Sequence, residues 1–151
     1  MSLLTRRRLL VSVVPAVGGG VAGCTGLGAV QRSAPTIEHL EAQSENPEPH
    51  TVSVLLLADG EPLFAETVDL PPYNPETNRL RTQIFEGYPT DEPVETLYAW
   101  RDDQPRDDWQ EADLTRTDNE CEDIIVRIRN ENVVSGEPLT LRHALAGCEG
   151  P

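Results

Sequence analysis

Between residues 50 and 70 the order of side chains leaves the backbone little choice. His50 to Ala58 places Val52, Val54 and Leu56 at alternate positions with Leu55 and Leu57 between them, so a strand there is apolar on nearly both faces and belongs inside a sheet. Asp59-Gly60 follows, a pair that tolerates positive φ at both central positions of a two-residue turn. Pro62 to Leu70 then brings Phe64, Val68 and Leu70 to one side. The segment reads as a β-hairpin.

The rest of the chain from Thr36 onward repeats this habit of short apolar runs divided by turn residues, and no long stretch has helical period. Thr36 to Gln43, whose alternation is poor, is expected to pair with the hairpin across the turn region Ser44 to Pro49. Beyond the breaker Pro71-Pro72-Tyr73-Asn74-Pro75, Arg79 to Phe85 alternates on Leu80 and Ile84, and Val94 to Arg101 alternates on Val94, Tyr98 and Trp100. Trp109 to Leu114, Cys121 to Arg129 and a short run at Leu139 to Arg142 complete the set. In the second of these, Ile124, Val126 and Ile128 oppose Ile125, Arg127 and Arg129, the pattern of a sheet with one wet face. About seven short strands over residues 36–148 predict an all-β fold, a single immunoglobulin-like antiparallel β-sandwich, with the internal tryptophans in its core.

Charge narrows the partners. The chain carries 12 Lys+Arg against 26 Asp+Glu, a formal net charge of −14. Nucleic acid and anionic lipid head groups are repelled by such a surface. All 12 basic residues are Arg, the more weakly hydrated cation, and at molar salt, with a Debye length of about 3 Å, the acidic self-repulsion largely disappears. Excess acid without Lys resembles the protein style of halophilic archaea.

The N-terminus speaks to location. Thr5-Arg6-Arg7-Arg8-Leu9-Leu10 opens an uncharged, Gly-rich stretch running to Gly23, shorter than the roughly 20 residues a membrane-spanning helix needs. It ends in Val21-Ala22-Gly23-Cys24. The first motif resembles a twin-arginine (Tat) export signal with Arg6 and Arg7 as its pair, and the second resembles the lipobox of bacterial and haloarchaeal lipoproteins. The resemblance implies cleavage before Cys24, a lipid on the Cys24 thiol, and display on the outer face of the cell membrane through that anchor. The expected organisation is a signal peptide over 1–23, a lipidated flexible tether over 24–35, and the sandwich over 36–148. With Cys24 given to lipid, Cys121 and Cys148 remain as a pair that outside the cell forms a disulfide, the alternative being two buried thiols.

His50-Thr51-Val52-Ser53-Val54, Asp59-Gly60, Glu66-Thr67-Val68-Asp69-Leu70 and a cysteine opening a late strand at Cys121 resemble small haloarchaeal Tat-exported lipoproteins with an immunoglobulin-like domain of unassigned activity. That resemblance implies architecture and location and no mechanism. Site chemistry is sparse. A blue copper centre needs Cys, His and Met close together near the C-terminus, whereas the sole Met is Met1 and Cys148 is followed only by Glu149, Gly150 and Pro151. His39, His50 and His143 show no metal-ligand spacing and are expected to be structural or exposed. Asp102, Asp103, Asp107 and Asp108 gather four carboxylates around Pro105, a weak candidate for calcium against the plainer reading of a solvated acidic loop. There is no Gly-x-Ser-x-Gly elbow, no phosphate-cradling glycine loop outside the signal, and no Asn-x-Ser/Thr glycosylation acceptor. The expectation is therefore a non-enzymatic surface module without a cofactor beyond the lipid, binding an unknown protein or envelope component. The alternatives are a calcium- or other metal-binding surface protein and an inhibitor of exported proteases. Recognition is assigned to the loops Pro71 to Asn78, Gly87 to Pro93 and Asp102 to Asp108.

Overall fold

The structure, a computed structural model, describes residues 34–77, 79–132 and 135–144. The expected signal, the lipobox with Cys24, most of the tether, and Cys148 lie outside the described residues.

The strands are β1 (Thr36–Ser44), β2 (His50–Ala58), β3 (Glu61–Leu70), β4 (Arg81–Ile84), β5 (Thr96–Arg101), β6 (Gln110–Asp113), β7 (Cys121–Ile128) and β8 (Leu139–Ala144). They form two four-stranded sheets, ordered β4-β1-β7-β8 and β3-β2-β5-β6, which pack as a sandwich. Short 3-10 turns occupy Arg106–Asp108 and Leu114–Arg116.

The expected hairpin is β2 and β3, paired from His50↔Leu70 to Ala58↔Glu61. Its turn has φ of 49° at Asp59 and 76° at Gly60, the left-handed pair that Asp-Gly accepts and that matches the twist of the flanking strands. β2 is an inner strand, with Val52, Val54 and Leu56 fully buried.

β1 departs from expectation. It joins the other sheet, antiparallel to β4 and parallel to β7, so among the described residues the sandwich is antiparallel except at this pair. Its poor alternation has a cause: the register slips between Ile37 and His39, and this bulge puts Ile37 and Leu40, three residues apart, on the same buried face. After the bulge, Leu40, Ala42 and Ser44 alternate inward.

Two other expectations are corrected. On β5 the buried residues are Leu97, Ala99 and Arg101, so Tyr98 and Trp100 point outward and the phase is opposite to the one read from size. The internal tryptophans are accordingly not core: Trp100 and Trp109 lie half-buried on the outer face, stacked at 3.9 Å between ring centroids with planes 7° apart. Mutual stacking covers one face of each ring, which removes the need to turn either of them inward. On the edge strand β4, Leu80 before it and Ile84 at its end are exposed, while Phe85, just past it, is buried and donates its backbone N–H to Leu40 O at 3.1 Å. In β7, Ile124, Val126 and Ile128 are fully buried as their alternation predicts. The core between the sheets is completed by Leu70, Val94, Leu114 and Leu139.

Candidate functional site

The densest polar arrangement among the described residues lies at one end of the second sheet, where β2 begins and β5 ends. Val52 pairs with Arg101, and Asp102 donates its backbone N–H to Thr51 O at 3.1 Å, so the antiparallel register carries the Arg101-Asp102-Asp103 segment alongside His50. A tight turn then reverses the chain: Gln104 N–H donates to Arg101 O at 3.0 Å, and Gln104 Oε1 accepts from Arg101 N–H at 2.9 Å.

Arg101 is the unusual residue, since its inward phase drives a guanidinium to 5% exposure at the margin of the core. Its Nε donates to Asp103 Oδ1, and its Nη2 donates to Asp103 Oδ2 at 2.8 Å and to Glu131 Oε1 at 2.9 Å. Glu131 comes from the loop after β7, so Arg101 ties the two sheets together. Burial works against its charge, but the two carboxylates outweigh burial and hold its proton more firmly than in an ordinary Arg. For Asp103, partial burial pushes its carboxyl up, and the guanidinium more than reverses that, leaving it below the usual range. Arg101 Nη1 is buried and has no hydrogen-bond partner among the described residues.

His50 stands on the other side of these carboxylates. Its side chain is 8% exposed, and Nδ1 lies 3.2 Å from Asp102 Oδ1. Nε2 is buried with no partner among the described residues. One ligand atom each from His50, Asp102 and Asp103 lies within 4.8 Å of the other two. The four-aspartate loop is thereby divided: Asp102 and Asp103 converge with His50, whereas Asp107 and Asp108 belong to the 3-10 turn and line a cleft that Asp103 also borders. That cleft, of about 510 Å³, is also bounded by Arg101, Asp103, Trp109 and Glu137. The Arg106 guanidinium carbon sits 5.5 Å from the Trp109 ring centroid, a cation–π distance.

The remaining expected site residues are scattered. Cys121 is buried at the start of β7, and its expected pairing with Cys148 lies outside the described residues. The signal pair Arg6 and Arg7, the lipobox residues Val21, Ala22 and Gly23, and the lipidation residue Cys24 do so too. His39 lies 3.1 Å from Glu41 on its own strand, and His143 lies 3.8 Å from the buried Glu122, whose other oxygen accepts from Asn119 Nδ2 at 2.8 Å. His50 and Arg101 are the two that sequence reading passed over as site residues. The signal that could have found them is the register, because once β2 pairs with β5 the start of one meets the end of the other. No protein-family model, curated protein or solved structure matches the chain.

Proposed function

We propose that the chain is an exported surface protein, held by lipid at Cys24, whose sandwich is a non-enzymatic binding module of immunoglobulin-like character for another protein or an envelope component. The observation that carries the binding part is the cleft beside Trp109, formed by one of the three loops to which recognition is assigned on sequence grounds. Its indole wall and the acids Asp103, Asp107, Asp108 and Glu137 suit cationic or hydroxyl-bearing groups of a partner and disfavour anionic ones. The location part rests on the Arg6-Arg7 and Val21 to Cys24 motifs. Both fit a domain with a strongly acidic surface that presents its chemistry in loops.

Expression of the intact gene in a halophilic host beside Cys24→Ser and Arg6→Lys/Arg7→Lys versions tests the location. Wild type is expected to pellet with membranes carrying a lipid mass on residue 24, Cys24→Ser to be released, and the double Arg variant to persist as precursor. If all three stay soluble and uncleaved, the lipoprotein reading fails. A photo-crosslinking residue at Asp107 tests the cleft in the same cells. It is expected to give a discrete adduct that the same probe at exposed Thr82 does not, and equal labelling from both sites would remove the cleft from consideration.

A further inference from the structure

The end of the second sheet carries a feature beside the cleft, with which it shares Asp103. We infer that His50, Asp102 and Asp103 form a binding site for a divalent transition ion of the zinc class, distinct from the calcium site that four loop aspartates suggest. Three observations carry this. The ligand atoms of the three side chains lie within 4.8 Å of one another. Ligands at the usual 2.0–2.2 Å from a tetrahedral ion are about 3.4 Å apart, so a rotation of the half-exposed Asp102 carboxylate and a small shift of Asp103 with its Arg101 partner bring all three onto one ion. The imidazole is already in place: its ring is more than nine-tenths buried, Nε2 is enclosed without a partner among the described residues, and Nδ1 lies 3.2 Å from Asp102 Oδ1. Burial restricts rotation of the ring, which is part of the preorganisation that a ligand histidine needs.

Asp103 is likewise oriented before any ion arrives. Each of its oxygens accepts from Arg101 and keeps a second lone pair. Arg101 thus stands behind the carboxylate as an outer partner, as the groups behind metal ligands commonly do. Its positive charge is set against Asp102, Asp103 and Glu131 in the immediate surroundings, and the balance remains negative. One imidazole with two carboxylates is a mixed donor set. All-oxygen sites suit calcium and magnesium, whereas an imidazole shifts preference towards zinc, cobalt and nickel. Three protein ligands also leave a position open, on a groove that includes Thr51, Asp69 and Pro71.

The test uses the full chain, purified in detergent, stripped with chelator and kept at constant ionic strength. Zn²⁺ at a hundredfold excess over its dissociation constant is expected to raise Tm by about 5–10 °C, with Ca²⁺ and Mg²⁺ giving much less. Asp102→Asn, on a half-exposed side chain, is expected to weaken Zn²⁺ at least tenfold. Glu61→Gln/Asp91→Asn, which removes two exposed acids elsewhere, should leave the affinity within twofold. Co²⁺ is expected to give ligand-field bands without thiolate charge transfer, and those bands should be unchanged in Cys24→Ser. No Tm shift with Zn²⁺, a preference for Ca²⁺, equal weakening by the distant double variant, or a thiolate band would each overturn the assignment. These readouts are independent of lipidation and of any partner in the cleft.

Discussion

At the scale of single residues, the arrangement around Arg101 shows how a charge is kept at the edge of a small core. Its guanidinium is buried but bonded to Asp103 and Glu131, both half-exposed, so its desolvation is partly shared with water. Arg101→Ala is expected to destabilise by about 2 kcal/mol in urea unfolding at high salt, below the range for a fully buried pair because the orphaned acids can rehydrate. Lys in its place recovers less than half, since an ammonium cannot reproduce the fork. Asp113 offers a cleaner view of pH. Its carboxylate accepts from the Thr115 hydroxyl at 2.5 Å and from the Thr115 N–H at 3.1 Å, and pairs with Arg116 at 2.8 Å. These bonds, the hydroxyl first, hold its carboxyl below the ordinary range. A carboxyl depressed on folding adds stability that is complete above its unfolded value, about 3.9, and disappears as pH falls through the lower folded value. The stability difference between wild type and Asp113→Asn should therefore be flat from pH 7 to about 5 and close below about 4. A difference that widened on acidification would refute the depression.

At the scale of strands, burial follows phase rather than bulk. Leu97→Ala is expected to cost about 3 kcal/mol, as for other fully buried leucines. Trp100→Ala, though the larger deletion, should cost less, because its ring is stacked outside on Trp109. A double-mutant cycle across the two rings is expected to return about 1 kcal/mol, with loss of the exciton couplet in circular dichroism on either substitution. On edge strand β4, Ile84→Thr should fall within about 0.5 kcal/mol of wild type, whereas Ile124→Ala on β7 should cost several times more. The same distinction explains what could be read beforehand. β2, β3 and β7 are legible because their inward residues are aliphatic and alternate, and for β2 and β3 because the turn between them is Asp59-Gly60. The phase of β5 is hard to read because Tyr98 and Trp100 are its bulkiest residues, and their pairing across to Glu111 and Trp109 is invisible without the register. β1 was placed in the wrong sheet because adjacency in sequence suggested the hairpin, and a bulge hid its period. The acidic loop is visible in the sequence, but the approach of His50, some fifty residues away, to half of it is not.

At the scale of the whole molecule, a formal charge of −14 on a chain of 151 residues makes solution conditions part of the fold. Lowering salt from about 2 M to 0.1 M lengthens the screening distance to about 10 Å and lets acids on neighbouring strands repel. Tm is expected to fall steeply over that range, and to fall less in a variant with several exposed acids neutralised; a salt-independent Tm would contradict the electrostatic account. Cooperative unfolding should follow from the shared core, since each sheet alone would expose its apolar face. The parallel pairing of β1 with β7 has a consequence in time. β1 is an inner strand of its sheet, and the neighbour that hydrogen-bonds one of its edges is made some 80 residues later in synthesis. Until Cys121–Ile128 has emerged, that edge has no partner and the first sheet cannot close, whatever the hairpin has already achieved. A ribosome-bound chain stopped short of β7 should hold β2 and β3 together yet remain protease-sensitive throughout Thr36–Ser44, and protection there should arrive in one step when the later strand is released.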